Sequence, residues 1–237
     1  MLFRSEFQKI KPPYGKYAVN GNHEYYVGIE RAGNFCKSAD FTLLRNETID
    51  IPGVAVIVGV DDPAANRFGL SGKVTEEQLL SGLSKERFVL LLKHRPLVTP
   101  ASKGLFDLQL SGHTHRGQIF PFTLIIKMLY PIDSGLLNLE NGAFLYVNRG
   151  AGTWGPPMRF LAPPEVTVID LVSTGTAFPM DFNGIASNAG SCLFGFGVGV
   201  DLRAFRLNDL HPGGRGGRLL CITEKRSAYA LKTIRLP

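Results

Sequence analysis

The sequence predicts an α/β fold, in which buried strands alternate with helices. Two nearly continuous apolar runs, at residues 54–60 and 87–93, have the composition of strands that are covered on both faces. Between these runs, Thr75 and Gln78 have the spacing of a capping box, which predicts that a helix begins there. A buried strand, a helix and a second buried strand in this order indicate layers of sheet and helix around one core.

Each remaining element is predicted from a local pattern. Apolar residues at helical spacing near the N-terminus predict a short first helix, which ends before Pro12. A loop is expected at 21–24, followed by a helix at 25–40 whose apolar stripe packs on the core. Strands are expected at 14–20, 42–46, 48–51, 104–110, 142–148 and 166–171, and an apolar segment interrupted by prolines lies at 120–130.

The chain has the size and composition of a globular protein with one main domain. It contains 237 residues, of which 44% are apolar and 19% are charged. No apolar run is long enough to span a bilayer. The first residues include an early acid, Glu6, and no apolar signal core, so we predict no signal peptide.

The three cysteines are predicted to be reduced thiols. Cys36, Cys192 and Cys221 are widely spaced and form no C-x-x-C pair, which argues against a disulfide framework or a structural zinc site. Reduced thiols are typical of the cytoplasm without proving that location. The sequence therefore leaves the compartment open between the cytoplasm and the membrane periphery.

The C-terminal residues differ in character from the rest of the chain. Residues 172–237 contain eight Lys and Arg but only four Asp and Glu, and they are rich in glycine. Apart from a short strand pattern at 218–223 they show no helical or strand period, so we expect this tail to be poorly ordered or unrelated to the preceding domain. A basic tail attracts nucleic acid in some proteins, but a solvated surface is the commoner role, and we do not expect nucleic-acid binding.

Four of the five histidines follow predicted buried strands. His23 follows the first strand, His94 follows the second apolar run, and His113 and His115 follow the next strand. Polar residues at strand ends are where functional sites are commonly built. Two histidines one residue apart point to opposite faces of a regular strand, so this pair acts together only on a bent loop, which the neighbouring glycines permit.

Imidazole and amide groups at strand ends are suited to divalent metals. Histidine is a common ligand for zinc, iron, manganese and nickel, and the carbonyl of Asn22 adds a hard oxygen. A pair of such metals lowers the pKa of a bridging water and holds a phosphoryl oxygen. Each of these residues is also compatible with a polar turn or a hydrogen-bonded core histidine, and the spacing alone does not decide between these interpretations.

The motifs together resemble the calcineurin-like metallophosphoesterase family and look closest to its branch of YkuE- and YaeI-type phosphoesterases. The resemblance rests on Gly-Asn-His-Glu at 21–24, on the strand-ending His94, and on Ser-Gly-His-Thr-His at 111–115. It covers about residues 1–171, which we expect to be a partial phosphoesterase domain. Supporting segments lie at 44–47, 58–63, 149–156 and 162–165.

This resemblance implies a fold, a site and a reaction. The fold is the C-terminal part of a four-layer αββα sandwich, with two mixed β-sheets flanked by helices. Asn22, His94 and His113 are implied to bind one divalent transition metal (Mn, Fe, Zn or Ni), and His115 a second. His23 is implied to be catalytic, as the acid that protonates the leaving alkoxide. Substrates would be phosphomonoesters or phosphodiesters, as small molecules or linked to lipid, and peripheral membrane association is compatible with the sequence.

Two family motifs are absent. The family pattern places D-x-H and then G-D-x-x-D before G-N-H, and neither occurs before Gly21. Because these motifs supply carboxylates to both metals, we expect a truncated chain with impaired phosphoesterase activity. The alternative is a non-catalytic remnant or binding protein with at most one weak metal site. We also expect Arg116, which replaces the family's usual glycine, to be exposed rather than in contact with a phosphate.

Overall fold

A computed structural model describes residues 2–139, 142–171, 199–201, 221–225 and 230–236. The helices are α1 Leu2–Lys9, α2 Asn22–Val27, α3 Ile29–Ser38, α4 Ala64–Arg67, α5 Glu76–Ser81 and α6 Phe122–Leu129, with short 3-10 helices at Pro100–Ser102 and His115–Gly117. The strands are β1 Lys16–Val19, β2 Thr42–Leu44, β3 Glu47–Ile51, β4 Ala55–Gly59, β5 Val89–Leu92, β6 Leu108–Ser111, β7 Gly135–Asn138, β8 Phe144–Val147, β9 Glu165–Leu171, β10 Gly199–Asp201, β11 Cys221–Lys225 and β12 Ala230–Leu236. Within these ranges, no helix combines the length and apolar character needed to cross a membrane.

The central sheet has six strands in the order β3-β4-β5-β6-β8-β7. The inner strands β4, β5, β6 and β8 are parallel to one another, whereas β3 and β7 are antiparallel to their neighbours at the two edges. Parallel strands have their carboxyl ends at the same edge of a sheet, so the segments after β5 and β6 emerge side by side. These are the segments that contain His94 and His113.

Both faces of the central sheet are buried. On one face, Ile57 and Leu90 belong to an apolar cluster that includes Leu44 of β2. On the other face, Val58 and Leu91 belong to a second cluster, which includes a buried leucine of α5. Because adjacent residues of one strand point to opposite faces, this division confirms that the two apolar runs form strands covered on both sides.

Two three-stranded sheets complete the described structure. In one, β1 pairs with β2 in parallel and with β10 in antiparallel orientation. In the other, β12 lies between β9, which is parallel to it, and β11, which is antiparallel. All three sheets are mixed, and helices flank them, which confirms the predicted α/β class.

The helices that follow β1 differ from the prediction. The segment expected to be a loop at 21–24 contains the first turn of α2, with Gly21 as its N-cap. The single helix expected at 25–40 is two helices, separated at Gly28, whose φ of 102° and ψ of 116° interrupt the helical path. Glycine has no Cβ to oppose this positive φ, so the chain turns there. As a result, Asn22 and His23 lie at the N-terminus of a short helix.

Most other elements lie where they are predicted. α5 begins with the expected capping box, in which Gln78 N donates to Thr75 Oγ1 at 3.2 Å and Thr75 N donates to Gln78 Oε1 at 2.9 Å. The apolar segment at 120–130 contains α6. The sequence patterns do not predict α4 or β7.

The described residues include three strands of the C-terminal tail, β10, β11 and β12. β11 overlaps the strand pattern at 218–223. The rest of 172–237 lies outside the described residues. The expectation that the tail is poorly ordered or unrelated to the domain therefore stays a prediction.

Candidate metal centre

Three of the predicted metal ligands meet at the edge of the central sheet. His94 Nε2 lies 3.0 Å from Asn22 Oδ1 and 3.1 Å from His113 Nδ1. Both separations are ordinary hydrogen-bond lengths. They are also compatible with donor atoms that lie about 2.1 Å from one metal and bind it at an angle near 90°, so the three side chains are candidate ligands of a shared metal.

The sheet holds the two histidines of this cluster next to each other. His94 follows β5, and His113 follows β6. Hydrogen bonding between these strands continues beyond their ends, because Gly112 N donates to the His94 carbonyl at 3.0 Å. Asn22 comes from a different sheet, through the turn that links β1 to α2. The site is thus assembled from three segments that are far apart in sequence.

Gly21 allows the backbone before Asn22 to approach the ring of His94. A Cβ at position 21 would lie 2.6 Å from His94 Cε1 and 2.7 Å from each of the two ring nitrogens. These distances are shorter than van der Waals contact. The imidazole therefore occupies the space that any side chain at position 21 would need.

Replacing Gly21 by alanine is expected to displace the His94 ring and to lower the free energy of unfolding by about 1–3 kcal/mol, which is the usual effect of overpacking. Chemical denaturation followed by circular dichroism measures this change. Gly33→Ala in α3 is the matched control, because a Cβ there meets only Leu43 Cδ2, at 4.0 Å. In a helix, alanine is favoured over glycine by about 0.5–1 kcal/mol. Similar losses in the two variants would contradict the packing argument.

The loop after β6 bends through left-handed backbone conformations. His113, His115 and Arg116 have φ values of 68°, 47° and 52°. Residues other than glycine rarely adopt such values, which are found mainly where surrounding contacts impose them, often at functional sites. Gly117 lies so close to α6 that a Cβ would be 2.4 Å from Thr123 N. Because of this bend, both histidines of the H-x-H pair line one cavity. They can act together only if they lie close to each other in this way.

Burial keeps the imidazoles of the cluster neutral. Burial lowers the pKa of His94 well below its usual range, and the nearby His113 and Arg95 lower it further. Burial also lowers the pKa of His113 to about 4, and Arg95 acts in the same direction. Arg95 is held in place by Asp62, to which it donates two hydrogen bonds, of 2.8 and 3.0 Å. Neutral imidazole is the form that binds a metal.

His115 is hydrogen-bonded to Arg159, a residue to which the sequence patterns assign no role. Arg159 Nη2 donates to His115 Nδ1 at 3.1 Å and to the carbonyls of Arg149 and Gly150 at 3.0 Å each. Burial and the Arg159 charge lower the pKa of His115 to about 4, so this imidazole is neutral. The only signal for Arg159 in the sequence is its place just after the glycine- and proline-rich loop.

His23 and Arg116 lie beside the cluster. His23 is exposed in the first turn of α2 and lines the same cavity, with its ring 5.8 Å from that of Tyr26 in an edge-on contact. Arg116 is partly exposed, and its Nε lies 3.6 Å from the Asp133 carboxylate. The side chain that was expected to be exposed is thus partly covered.

Asn22, His94 and His113 offer three donor atoms, which could hold one metal. In the part of the chain that the structure describes, no group of three or more His, Cys, Asp and Glu is placed to hold a metal, so the amide of Asn22 is required as the third donor. Glu24 lines the cavity, but its carboxylate accepts a hydrogen bond from Gly21 N at 2.7 Å. His94 Nδ1 is buried without a partner among the described residues, so the outer group that usually orients a ligating imidazole is missing there.

A cavity of about 420 Å³ opens over the cluster, which is within the usual size range of ligand sites. Its polar lining includes Asn22, His94, His113 and His23. Its apolar lining includes Phe122, Ile125, Ile126 and Trp154. The sequence patterns assign none of these apolar residues to a site, although the single tryptophan in a glycine-rich loop is a signal that favours one.

Comparison with known proteins identifies relatives that share most of this chain. An uncharacterized metallophosphoesterase of Aquifex aeolicus is 40% identical over 169 residues, which are 70% of this chain and 64% of that protein. The metallophosphoesterase YkuE of Bacillus subtilis is 34% identical over 176 residues, 70% of this chain and 59% of YkuE. A transmembrane protein with metallophosphoesterase domain from Bos taurus is 33% identical over 179 residues, 69% of this chain and 40% of that protein. No family model and no solved structure matches the chain.

The chain belongs to the calcineurin-like metallophosphoesterase family, which confirms the resemblance of its motifs. Members of this family are phosphoester hydrolases that depend on divalent metals. The aligned region spans less than two thirds of each of these three relatives, so it corresponds to only part of their length.

Proposed function

We propose that the protein hydrolyses phosphomonoesters or phosphodiesters with a divalent metal held by Asn22, His94 and His113. The contacts of His94 Nε2 with Asn22 Oδ1 and His113 Nδ1, at 3.0 and 3.1 Å, carry this proposal. The cluster lies beneath a cavity of suitable size for a small substrate. When bound, the metal would supply hydroxide near neutral pH and offset negative charge on the phosphoryl oxygens.

The side chains around the cluster have separate roles in this proposal. His23 is proposed to be the general acid, because it is exposed to the cavity and is not part of the donor cluster. From there its ring can give a proton to the alkoxide that leaves. His94 and His113 remain neutral because of their burial, so they keep their lone pairs at physiological pH.

The metal is proposed to be Mn, Fe, Zn or Ni, which accept imidazole nitrogen and amide oxygen. A binuclear site is the arrangement that the resemblance implies. His115 is the residue that would bind the second metal, and among the described candidate ligands it would bind that metal alone. The sequence also contains neither D-x-H nor G-D-x-x-D before Gly21. We therefore propose that the 237-residue chain binds at most one metal per molecule and has weak or no turnover.

A non-catalytic protein with one weak metal site is the second candidate. Two observations favour it. The donor cluster contains no carboxylate, and His94 Nδ1 lacks an orienting partner among the described residues. Both reduce metal affinity, because charged ligands and outer hydrogen bonds strengthen a site.

The substrate is proposed to be a phosphate ester, either a small molecule or one linked to lipid. Relatives from Bos taurus and Danio rerio are named as transmembrane proteins with a metallophosphoesterase domain. These names support the proposal that this chain associates with membranes at their periphery. We further propose that the phosphoesterase domain ends near residue 171, where the resemblance of the motifs ends.

Hydrolysis of p-nitrophenyl phosphate and bis(p-nitrophenyl) phosphate in the presence of Mn, Ni or Zn tests the proposed reaction. We expect slow turnover that requires metal and disappears in His113→Ala. His23→Ala should lower kcat by about a hundredfold or more, as loss of a general acid does, while metal binding is unchanged. One bound metal without any turnover would favour the non-catalytic protein, and two bound metals per chain would contradict the incomplete donor set.

A further inference from the structure

An exposed apolar surface borders one side of the cavity mouth. It consists of α6 and the segment 154–161, which we name the apolar rim. Six of the eight residues of α6 are apolar, yet none of its residues is buried. Met128 is 86% exposed and Leu129 is 64% exposed. Soluble proteins commonly expose single apolar residues, whereas a contiguous group of them marks an interaction surface.

The two parts of the apolar rim are held together as one surface by Gln118. Its Nε2 donates to the carbonyls of Trp154 at 2.8 Å and Pro156 at 3.1 Å, and its Oε1 accepts from Trp154 N at 2.7 Å. Its carbonyl accepts from Phe160 N at 2.9 Å. α6 begins at Phe122, shortly after Gln118, so both parts are anchored on the same buried residue.

The apolar rim is continuous with the candidate metal centre. Phe122, Ile125 and Trp154 line the same cavity as His94 and His113. A partner that covers the rim therefore lies at the opening through which a substrate reaches the donor atoms. Any occupant of the rim has to be compatible with the entry of a phosphate ester.

The charge of the apolar rim indicates which kind of partner it can bind. Neither 116–132 nor 149–162, the segments that contain the rim, includes an Asp or Glu. Lys127 is exposed on α6, among the apolar residues. The whole chain has a net charge of +6. An apolar surface with a cation and no acids is complementary to a bilayer that contains anionic lipids.

We infer that the apolar rim docks on an anionic lipid bilayer, with α6 lying in the plane of the interface. α6 has eight residues, far fewer than the roughly 20 that a spanning helix needs. Met128 and Leu129 enter the boundary of the acyl chains, while Lys127 meets the headgroups. Docking places the cavity against the headgroup layer, which favours lipid-linked phosphate esters as substrates. This consequence for the substrate rests on the proposed function, whereas the docking itself does not.

Trp154 provides a direct test, because it is the only tryptophan of the chain and it lies in the apolar rim. The full chain is mixed with vesicles of phosphatidylcholine that contain phosphatidylglycerol. We expect a blue shift of the tryptophan emission and quenching by brominated acyl chains, with a weaker response to phosphatidylcholine alone. An unchanged emission with both vesicles would overturn the inference. The experiment needs neither metal nor turnover, so its failure is distinct from failure of the proposed hydrolysis.

Single substitutions in the apolar rim test which of its residues contribute to vesicle binding. Met128→Asp and Leu129→Asp should each weaken co-sedimentation with the mixed vesicles by about tenfold or more, because each places a negative charge in the interface. Neither residue lines the cavity. Val74→Asp is the matched control, since Val74 is also an exposed apolar residue but lies outside the rim, before α5. It should bind vesicles like the parent chain, and circular dichroism checks that each variant is folded.

Two results would overturn the inference. Equal weakening by Val74→Asp and Met128→Asp would show that the added charge acts on the whole protein and not on the apolar rim. A dimer in vesicle-free buffer that dissociates on Met128→Asp, without vesicle binding by the parent chain, would assign the rim to a second copy. Size-exclusion chromatography of both proteins distinguishes this outcome from docking on lipid.

Discussion

Replacement of His94 by alanine should weaken divalent metal binding by more than roughly 100-fold. Loss of an outer-shell partner weakens binding by about 10- to 100-fold, and loss of a direct ligand should weaken it further. His94 Nε2 is the atom that contacts both Asn22 Oδ1 and His113 Nδ1, at 3.0 and 3.1 Å. Its removal therefore takes away one donor of three and separates the other two. Two neutral donors alone make a poor site, because no carboxylate joins the cluster in the described structure.

Isothermal titration of the apo chain with Zn or Mn measures this effect and the stoichiometry together. His23→Ala is the matched control, because His23 lines the same cavity but does not belong to the donor cluster. We expect His23→Ala to bind metal like the parent chain. If both variants lost affinity equally, the assignment of His94 as a ligand would be wrong. Thermal melting of apo His94→Ala separates loss of the site from loss of the fold.

Replacement of Glu165 by alanine should lower the free energy of unfolding by about 3–5 kcal/mol, the usual effect of removing one partner from a buried ion pair. Glu165 is 1% exposed and accepts from Arg149 Nε at 2.8 Å and Arg149 N at 3.2 Å. It also accepts hydrogen bonds from Tyr146 and Thr167. Without the carboxylate, the buried guanidinium of Arg149 has lost its counter-charge.

Chemical denaturation tests this prediction, and Asp50→Ala is the matched control. Asp50 also pairs with an arginine, Arg87, but its side chain is mostly exposed. Exposed pairs contribute only about 0–1 kcal/mol, so this control should change stability little. The double variant Arg149→Met with Glu165→Leu should be more stable than Glu165→Ala, because it removes both charges. Equal losses in Glu165→Ala and Asp50→Ala would contradict the assigned role of burial.

The Glu165 network also has a consequence for the site. The Glu165 carboxylate accepts from Arg149 Nε and Arg149 N, and the Arg149 carbonyl accepts from Arg159 Nη2 at 3.0 Å. Arg159 in turn donates to His115. The second histidine of the H-x-H pair is thus positioned by a buried ion pair that lies outside the cavity. Loss of Glu165 should therefore alter His115 together with the stability of the fold.

Local patterns predicted the parts of the fold that local interactions determine. The capping box at Thr75 correctly marked the start of α5, since its two hydrogen bonds involve neighbours in the sequence. The two apolar runs correctly marked β4 and β5, because strands covered on both faces need apolar residues at every position. The break at Gly28 was missed, because a glycine within a helical stripe shows its backbone conformation only once the helices pack.

The sequence by itself determined the family and which residue types stand at the strand ends, because motifs and strand patterns are local. The tertiary structure decided that His94 contacts both Asn22 and His113, since parallel pairing of β5 and β6 and a turn from another sheet bring these residues together. It also decided the neighbours of His115 and the exposure of α6, which depend on contacts between segments far apart in the chain. Long-range packing sets such distances and burial, and no local pattern encodes them.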